Sequence, residues 1–273
     1  MYRAASTPMP LPNRPLRALY CTDTYPPQVN GVSVVTALSV HGLIQRGWEV
    51  AVIGPTYPPV ASDPFGAPDT TARRPQQLTI SSLPLPGYPD IRLAAPAVRT
   101  IDRFIAAFEP GLVHSATEFV IGRLGQRQAQ RRGLPIVSSY HTDFSRYTES
   151  YGAPWLRGTV RDYIGRFHRR SRKVFTPGLL ARDELTALGV GAVEVWGRGV
   201  DVNVFHPRHR NPMLRQAYGG PDAFILLHVG RLAAEKGVER ILEGFGAAQR
   251  ALPEREVRLI VAGVGPREAA LRA

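Results

Sequence analysis

The stretch Leu16-Arg17-Ala18-Leu19-Tyr20-Cys21-Thr22-Asp23-Thr24-Tyr25-Pro26-Pro27-Gln28-Val29-Asn30-Gly31-Val32 decides the fold. Leu16–Thr22 is mostly apolar and β-prone, the texture of a strand buried on both faces. Pro26-Pro27 and Asn30-Gly31 then punctuate the chain. Helical spacing of apolar residues begins at Val32 and runs to Gln45. A strand that enters a helix through a short polar turn is the first half of a βαβ unit. Backbone N–H groups and the helix dipole converge on such a turn, and Gly31 lets a phosphate or sugar approach the backbone closely. The turn reads equally as structural Asn-Gly punctuation, and it is not the G-x-G-x-x-G fingerprint of a dinucleotide site.

The same alternation continues outward. Strands are predicted at Leu16–Thr22, Glu49–Gly54, Leu78–Leu83, Leu112–Ser115, Pro135–Tyr140, Val174–Thr176 and Val193–Trp196. Helices are predicted at Val32–Gln45, Ala97–Phe108, Val120–Arg131, Trp155–Arg172 and Leu179–Leu188, with a surface loop over Tyr57–Pro75. Around Gly197–Asn211 the chain turns polar, and a second series begins: strand Phe224–His228, helix Gly237–Ala251, strand Val257–Ala262 and a turn at Gly263–Pro266. The expected class is α/β, a doubly wound domain over 1–200 followed by the start of another over 201–273. So few elements do not close a second doubly wound domain, so that domain is expected to be truncated at Ala273.

Composition bounds the chemistry. The formal charge is +12, and only Lys173 and Lys236 among the 34 basic residues are lysines. The charge implies attraction to polyanions without choosing among nucleic acid, anionic lipid and nucleotide phosphate. Cys21 is the one cysteine, set in an apolar strand, which fits a reducing cytoplasm. No apolar run has the ~18–20 residues of a membrane span.

Three clusters carry candidate chemistry. Ser138-Ser139-Tyr140-His141-Thr142-Asp143-Phe144 stands at the carboxyl end of a strand, where open α/β sheets bind ligands. A lone histidine is more often structural, but the strand-end position of His141 favours a role in binding a polyhydroxyl ligand; His114, which ends the preceding strand, would line the same crevice as a weaker candidate. Val229-Gly230-Arg231-Leu232-Ala233-Ala234-Glu235-Lys236-Gly237 joins an Arg, a Lys and glycines to a helix start, a strong anion-binding combination. In an Arg-rich chain, Lys236 suggests that a compact, mobile ammonium is wanted. Gly263-Val264-Gly265-Pro266 is either a nucleotide-facing turn or a tight connection. No Walker signature and no Asp-x-Asp metal motif is present in the sequence.

Together these pieces resemble the retaining GT-B glycosyltransferases of family 4, over about Leu16 to Ala273. The resemblance rests on Asp23, Pro27 and Gly31 in the first turn, and on Pro135, Val137 and His141 at the strand end. It continues through Gly199-Val200-Asp201 with Phe205 and Pro207, then Gly230, Arg231, Glu235, Lys236 and Gly237, and finally Gly263–Pro266. Two strings, Ser139–Tyr147 and Trp196–Pro207, are similar to GDP-mannose-dependent α-mannosyltransferases and sulfoquinovosyl-diacylglycerol synthases. The family's late pair of glutamates is not matched. Glu243-Gly244-Phe245-Gly246 imitates its start, but it comes too early, and Arg250 and Ala251 occupy the place of the second acid.

The resemblance implies a GT-B fold of two Rossmann-like domains, the first on the acceptor side and the second binding the nucleotide sugar. It implies transfer of a hexose, mannose first, from a nucleotide-diphosphate sugar to a lipid or glycan, with the donor in the cleft between domains. His141, Arg231 and Lys236 become the catalytic residues, and Gly31, Gly230 and Gly265 the donor-binding glycines. Asp23, Asn30, His114 and Tyr147 fall on the acceptor side. Arg231 and Lys236 would stabilise the leaving diphosphate in place of a metal, so no metal or other cofactor is expected. Glucose or sulfoquinovose from a UDP donor is the alternative sugar, and a non-catalytic sugar-nucleotide or polyanion-binding module the alternative function. No nucleic-acid partner is expected. The aromatic and basic residues of 155–172 suggest docking on an anionic membrane, hence a cytoplasmic protein attached peripherally to the inner face.

Overall fold

The structure, a computed structural model, describes residues 16–58, 74–85, 88–141, 154–197, 199–200, 202 and 204–272. Most of the expected loop Tyr57–Pro75, and Tyr147 and Asp201, lie outside them. The chain divides into two compact units, Met1–Asp143 with Gly158–Gly199, and Phe144–Arg157 with Val200–Ala273.

The first unit is built on β1 (Arg17–Cys21), β2 (Glu49–Pro55), β3 (Gln76–Ile80), β6 (Leu112–Ser115), β7 (Ile136–Ser139), β8 (Lys173–Thr176) and β9 (Val193–Val195). These seven strands form one sheet in the order β3-β2-β1-β6-β7-β8-β9, and every pairing is parallel. β1 is central because Ala18, Leu19, Tyr20 and Cys21 leave no polar face, and each is at most 3% exposed. Connections run outward from β1 to β2 and β3 on one side and from β6 to β9 on the other. The order therefore reverses between β1 and β6, which makes their carboxyl ends the topological switch point.

Helix α1 (Gly31–Gln45) packs Val40 and Ile44 against Ala18, Tyr20, Val50 and Val52. On the opposite face, α2 (Val98–Phe108) and α3 (Val120–Arg131) bury Ile101, Ile105, Ile121 and Leu124 against Leu19, Cys21 and Val113. Further along, α4 (Arg157–His168) and α5 (Leu179–Ala187) close Ile164 and Leu185 over Val174 and Tyr140. Full burial of each such aliphatic side chain contributes about 1.5–3 kcal/mol.

Three sequence expectations change. Leu78–Leu83 is two strands, because β3 pairs parallel with β2 whereas β4 (Ser82–Leu85) pairs antiparallel with β5 (Tyr88–Ala94) as a separate hairpin. The helix expected over Trp155–Arg172 is a 3-10 turn, Pro154–Leu156, followed by α4, which stops at His168 where that side chain is drawn into the interior. The polar stretch before the second series contains α6 (Pro212–Ala217). Asn211 starts it by accepting from the Met213 N–H at 2.9 Å, with Pro212 in the first turn.

The second unit pairs β10 (Phe224–Val229) in parallel with β11 (Val257–Ala262), linked by α7 (Val238–Ala251) and followed by α8 (Glu268–Arg272). The parallel α/β sheet of the first unit is the Rossmann-like architecture expected from the alternation.

Candidate active site

At the switch point the β1–α1 turn is fixed from below by Asp23. Its Oδ2 accepts from the Thr117 hydroxyl at 2.6 Å, and the Asp23 N–H donates back to that hydroxyl oxygen at 2.7 Å. The Ile121 and Gly122 N–H groups donate to the carboxylate at 2.8 and 3.3 Å. These are orphan donors in the first turn of α3, whose own N-cap residue, Phe119, offers no side-chain acceptor. Asp23 therefore caps a helix nearly a hundred residues away. Burial pushes its carboxyl pKa up, the Thr117, Ile121 and Gly122 hydrogen bonds pull it down, and the neighbouring Glu118 carboxylate adds to the rise. Asp23 is 7% exposed with both oxygens engaged internally. Its carboxylate thus joins the β1–α1 turn to the β6–α3 loop.

Asn30 has a comparable task. Its Oδ1 accepts from the Ser33 N–H at 2.9 Å as the N-cap of α1, and its amide donates to Thr24 Oγ1 at 2.7 Å. Gly31 opens α1 and is exposed, so its backbone lies at the surface where a helix N-terminus favours anions.

His114 and His141 end neighbouring strands but differ in setting. His114 is buried, with Nε2 hydrogen-bonded to Ser139 Oγ at 2.6 Å. Desolvation and the nearby His141 push its pKa down to about 3, so it is neutral at physiological pH. His141 is half-buried, and its ring lies 6.3 Å from that of Trp196.

Beneath them runs a buried polar chain that the sequence did not disclose. Ser171 donates to Ser138 Oγ at 2.8 Å, Ser138 contacts His168 Nδ1 at 2.8 Å, and His168 Nε2 lies 3.3 Å from Glu118 Oε1. With Ser138 donating to Nδ1, the Nε2–H points at the carboxylate. The Tyr163 hydroxyl donates to the Glu118 carbonyl. Ser138 and His168 are fully buried, so this Ser-His-Glu series has no access for a substrate. It ties α4 and β7 to the β6–α3 loop. Thr117, Glu118 and His168 escaped sequence reasoning because each acquires its meaning from a partner distant in the chain.

In the second unit the Arg231–Lys236 loop and the Gly263–Pro266 turn lie backbone against backbone. Gly230 N–H donates to Ala262 O and Leu232 N–H to Val264 O, both at 3.0 Å, and Arg267 N–H to Leu232 O at 2.9 Å. A Cβ on Gly263 would stand 1.8 Å from Gly230 O, and one on Gly265 2.3 Å from Leu232 O. Packing alone thus demands glycine at 265, independently of any donor. Gly237 joins the 3-10 turn Ala234–Lys236 to α7 with φ of 60°, the left-handed region that favours glycine. Lys236 is exposed and Arg231 half-buried. Glu243 is exposed in the middle of α7, away from the loop. Among the described residues no group of three or more His, Cys, Asp or Glu could hold a metal ion, and no helix is long and apolar enough to cross a membrane.

The helix expected to dock on membranes turns most of its apolar residues inward. Ile164 and Phe167 are at most 2% exposed, whereas Trp155 and Leu156 are 75% and 43% exposed.

Comparison with known proteins agrees with this architecture. The chain resembles the GDP-mannose-dependent alpha-mannosyltransferase of Mycobacterium tuberculosis (strain CDC 1551 / Oshkosh), with 32% identity over 92% of this chain and 63% of that protein. It resembles sulfoquinovosyl transferase SQD2 of Arabidopsis thaliana with 30% identity over 83% of this chain and 42% of that one. The chain spans about six-tenths of the length of the mannosyltransferases it matches. The fold is shared with sucrose-phosphate synthase from Thermosynechococcus elongatus, at a TM-score of 0.63 and 17% identity over 95% of this chain and 66% of that one. Residues 29–204, which include α1, β6, His141 and Trp196, match the model of Glycosyltransferase Family 4. A match over most of the chain, on a doubly wound sheet of the GT-B kind, makes this chain a member of glycosyltransferase family 4.

Proposed function

We propose that the protein is a retaining glycosyltransferase that moves mannose from GDP-mannose to a lipid or glycan acceptor. The observation that carries the sugar is the similarity, at 28–32% identity, to three GDP-mannose-dependent alpha-mannosyltransferases. In this reading the bond between the anomeric carbon and the diphosphate's bridging oxygen breaks, its electrons leaving with the oxygen, as the acceptor hydroxyl oxygen attacks from the same face and passes its proton to that departing oxygen. Negative charge grows on the leaving diphosphate. Arg231 and Lys236 stabilise that charge, which is where electrostatic catalysis is most effective, and the α7 N-terminus adds its dipole. These cations take the part a divalent metal plays elsewhere, so the reaction needs no metal. His141 hydrogen-bonds the transferred sugar, with Gly31 giving close backbone approach in the β1–α1 turn. No covalent nucleophile is assigned.

The similarity to SQD2 supports sulfoquinovose as the second reading of the sugar. Trp155 and Leu156, with the exposed Arg157 and Arg161, are proposed to touch an anionic membrane that presents a lipid acceptor. The test is incubation of the purified protein with GDP-mannose, UDP-glucose or UDP-sulfoquinovose and a membrane lipid extract, with the product's anomeric configuration read by NMR. An α-mannoside is expected. A β-linked product would overturn the retaining mechanism, and product from another donor alone would overturn the sugar.

A further inference from the structure

Side chains of registered residues in a parallel sheet point to the same face, and alternate residues along a strand share it. Tyr20 is in register with His114, and His114 with Val137, two residues before Ser139. Ser139 is in register with Phe175, and Phe175 with Glu194, two residues before Trp196. Alternation thus gathers Tyr20, His114, Phe175 and Trp196 on one face at the carboxyl edge. Their rings meet in sequence: 4.5 Å from Tyr20 to His114, 6.1 Å from His114 to Phe175, and 5.5 Å from Phe175 to Trp196. Tyr140 faces the other way, packed with Ile164 and Leu185 and edge-on to His168 at 5.6 Å. Its neighbour His141 accordingly joins the ring wall, 6.3 Å and 50° from Trp196.

The wall is graded. At its base His114 is buried and held by Ser139, while Phe175, Trp196 and His141 are half-buried. Trp196 is fixed by more than its ring, because its N–H donates to Thr176 O at 2.7 Å and extends the β9 ladder by one step. His141 stands just past the end of β7. The rigid indole beside it contributes to its orientation, since aromatic pairs at such separations prefer defined tilted geometries.

We propose that Trp196 is a positioning residue for His141, its indole holding the imidazole in the orientation that meets the transferred sugar. This rests on the reading of His141 as the sugar-facing residue. It assigns Trp196 no contact with the reacting atoms.

The test has a structural arm that needs no turnover. In the purified protein labelled at histidine, the His141 ring resonance, identified by its loss in His141→Gln, is expected well away from the free-imidazole position through the Trp196 ring current. It should move towards that position in Trp196→Leu and stay displaced in Trp196→Phe. A wild-type His141 resonance at the free-imidazole position would overturn the proposal without any variant. In the kinetic arm with GDP-mannose, Trp196→Leu is expected to lower kcat about 10-fold or more with KM little changed, a loss of orientation rather than binding, and Trp196→Phe to recover most of it. Full turnover in His141→Gln would sink the reading of His141 itself. Loss of turnover in His141→Gln with wild-type kcat in a folded Trp196→Leu would sink the role of Trp196 alone.

Discussion

The Thr117 hydroxyl donates a 2.6 Å hydrogen bond to the buried Asp23 carboxylate, joining the ends of β1 and β6 at the point where the strand order reverses. Through it the first turn of the chain and the first turn of α3 become one rigid unit beneath the candidate site.

Removing either partner strands buried donors. Thr117→Val, which keeps the shape and deletes the hydroxyl, is expected to cost about 1.5–3 kcal/mol, the range for hydrogen bonds to charged groups, measured by denaturant unfolding. The pH dependence has a definite sign. The Asp23 pKa is raised, chiefly by desolvation, so its contribution is present at low pH and is lost as pH rises from the ordinary carboxylate range through the folded value. Asp23→Asn should remove that part of the slope. An unchanged slope would contradict the assignment.

His114 acts in the opposite direction. Its folded pKa is depressed from 6.5 to about 3, so the unfolded chain takes up a proton that the folded chain refuses. Stability is expected to fall as pH drops from about 6.5 towards 3. His114→Gln should flatten that descent, and the His114 resonances should not titrate between pH 5 and 8. A His114 transition near 6.5 would contradict its buried, neutral state.

Helix α3 approaches β1 through Gly125. A Cβ there would lie 2.4 Å from Cys21 Sγ and 2.7 Å from Cys21 Cβ, and Cys21 is fully buried. Gly125→Ala is expected to destabilise by about 1–3 kcal/mol through overpacking. Cys21→Ala in the same chain should recover part of it by removing the sulfur. An additive double variant would show that the two sites do not touch.

Arg157→Glu with Arg161→Glu is expected to reduce co-sedimentation with anionic phospholipid vesicles several-fold at ~0.1 M salt, where charges near the surface still act over ~10 Å. Binding unchanged by the pair of reversals would remove the membrane from the account.

Much of this molecule was legible in its residues, for identifiable reasons. β1, β6 and β11 are dense apolar runs flanked by punctuation, and α3 repeats its apolar residues at helical spacing, so their limits came close to those observed. The β4–β5 hairpin was hidden because Leu78–Leu83 is continuous in texture, and only the partner strand reveals that Ser82–Leu85 pairs the other way. α6 was hidden by the composition of His206–Pro212, although Asn211-Pro212 is a helix-start signal. Among the candidate residues, His141 and the Arg231–Lys236 loop could be named from sequence because each is a pattern local to a strand end or a turn. The partners of the Asp23 carboxylate were hidden because they lie in the first turn of a helix in a different part of the sequence. His168 stayed silent because its partners, Ser138 and Glu118, are 30 and 50 residues away in the chain and meet it only in the fold.

The most direct test is mannosyl transfer from GDP-mannose to membrane lipid by the purified protein, comparing wild type with His141→Ala and Lys236→Ala. The account predicts α-mannosylated lipid from wild type and a drop in turnover of at least 100-fold in each variant, the scale of lost transition-state charge stabilisation or orientation. Because Lys236 is exposed, its variant should melt with the wild type. Transfer that survives both substitutions in folded protein would contradict the assignment of the site, and no transfer and no GDP binding by wild type would contradict the function.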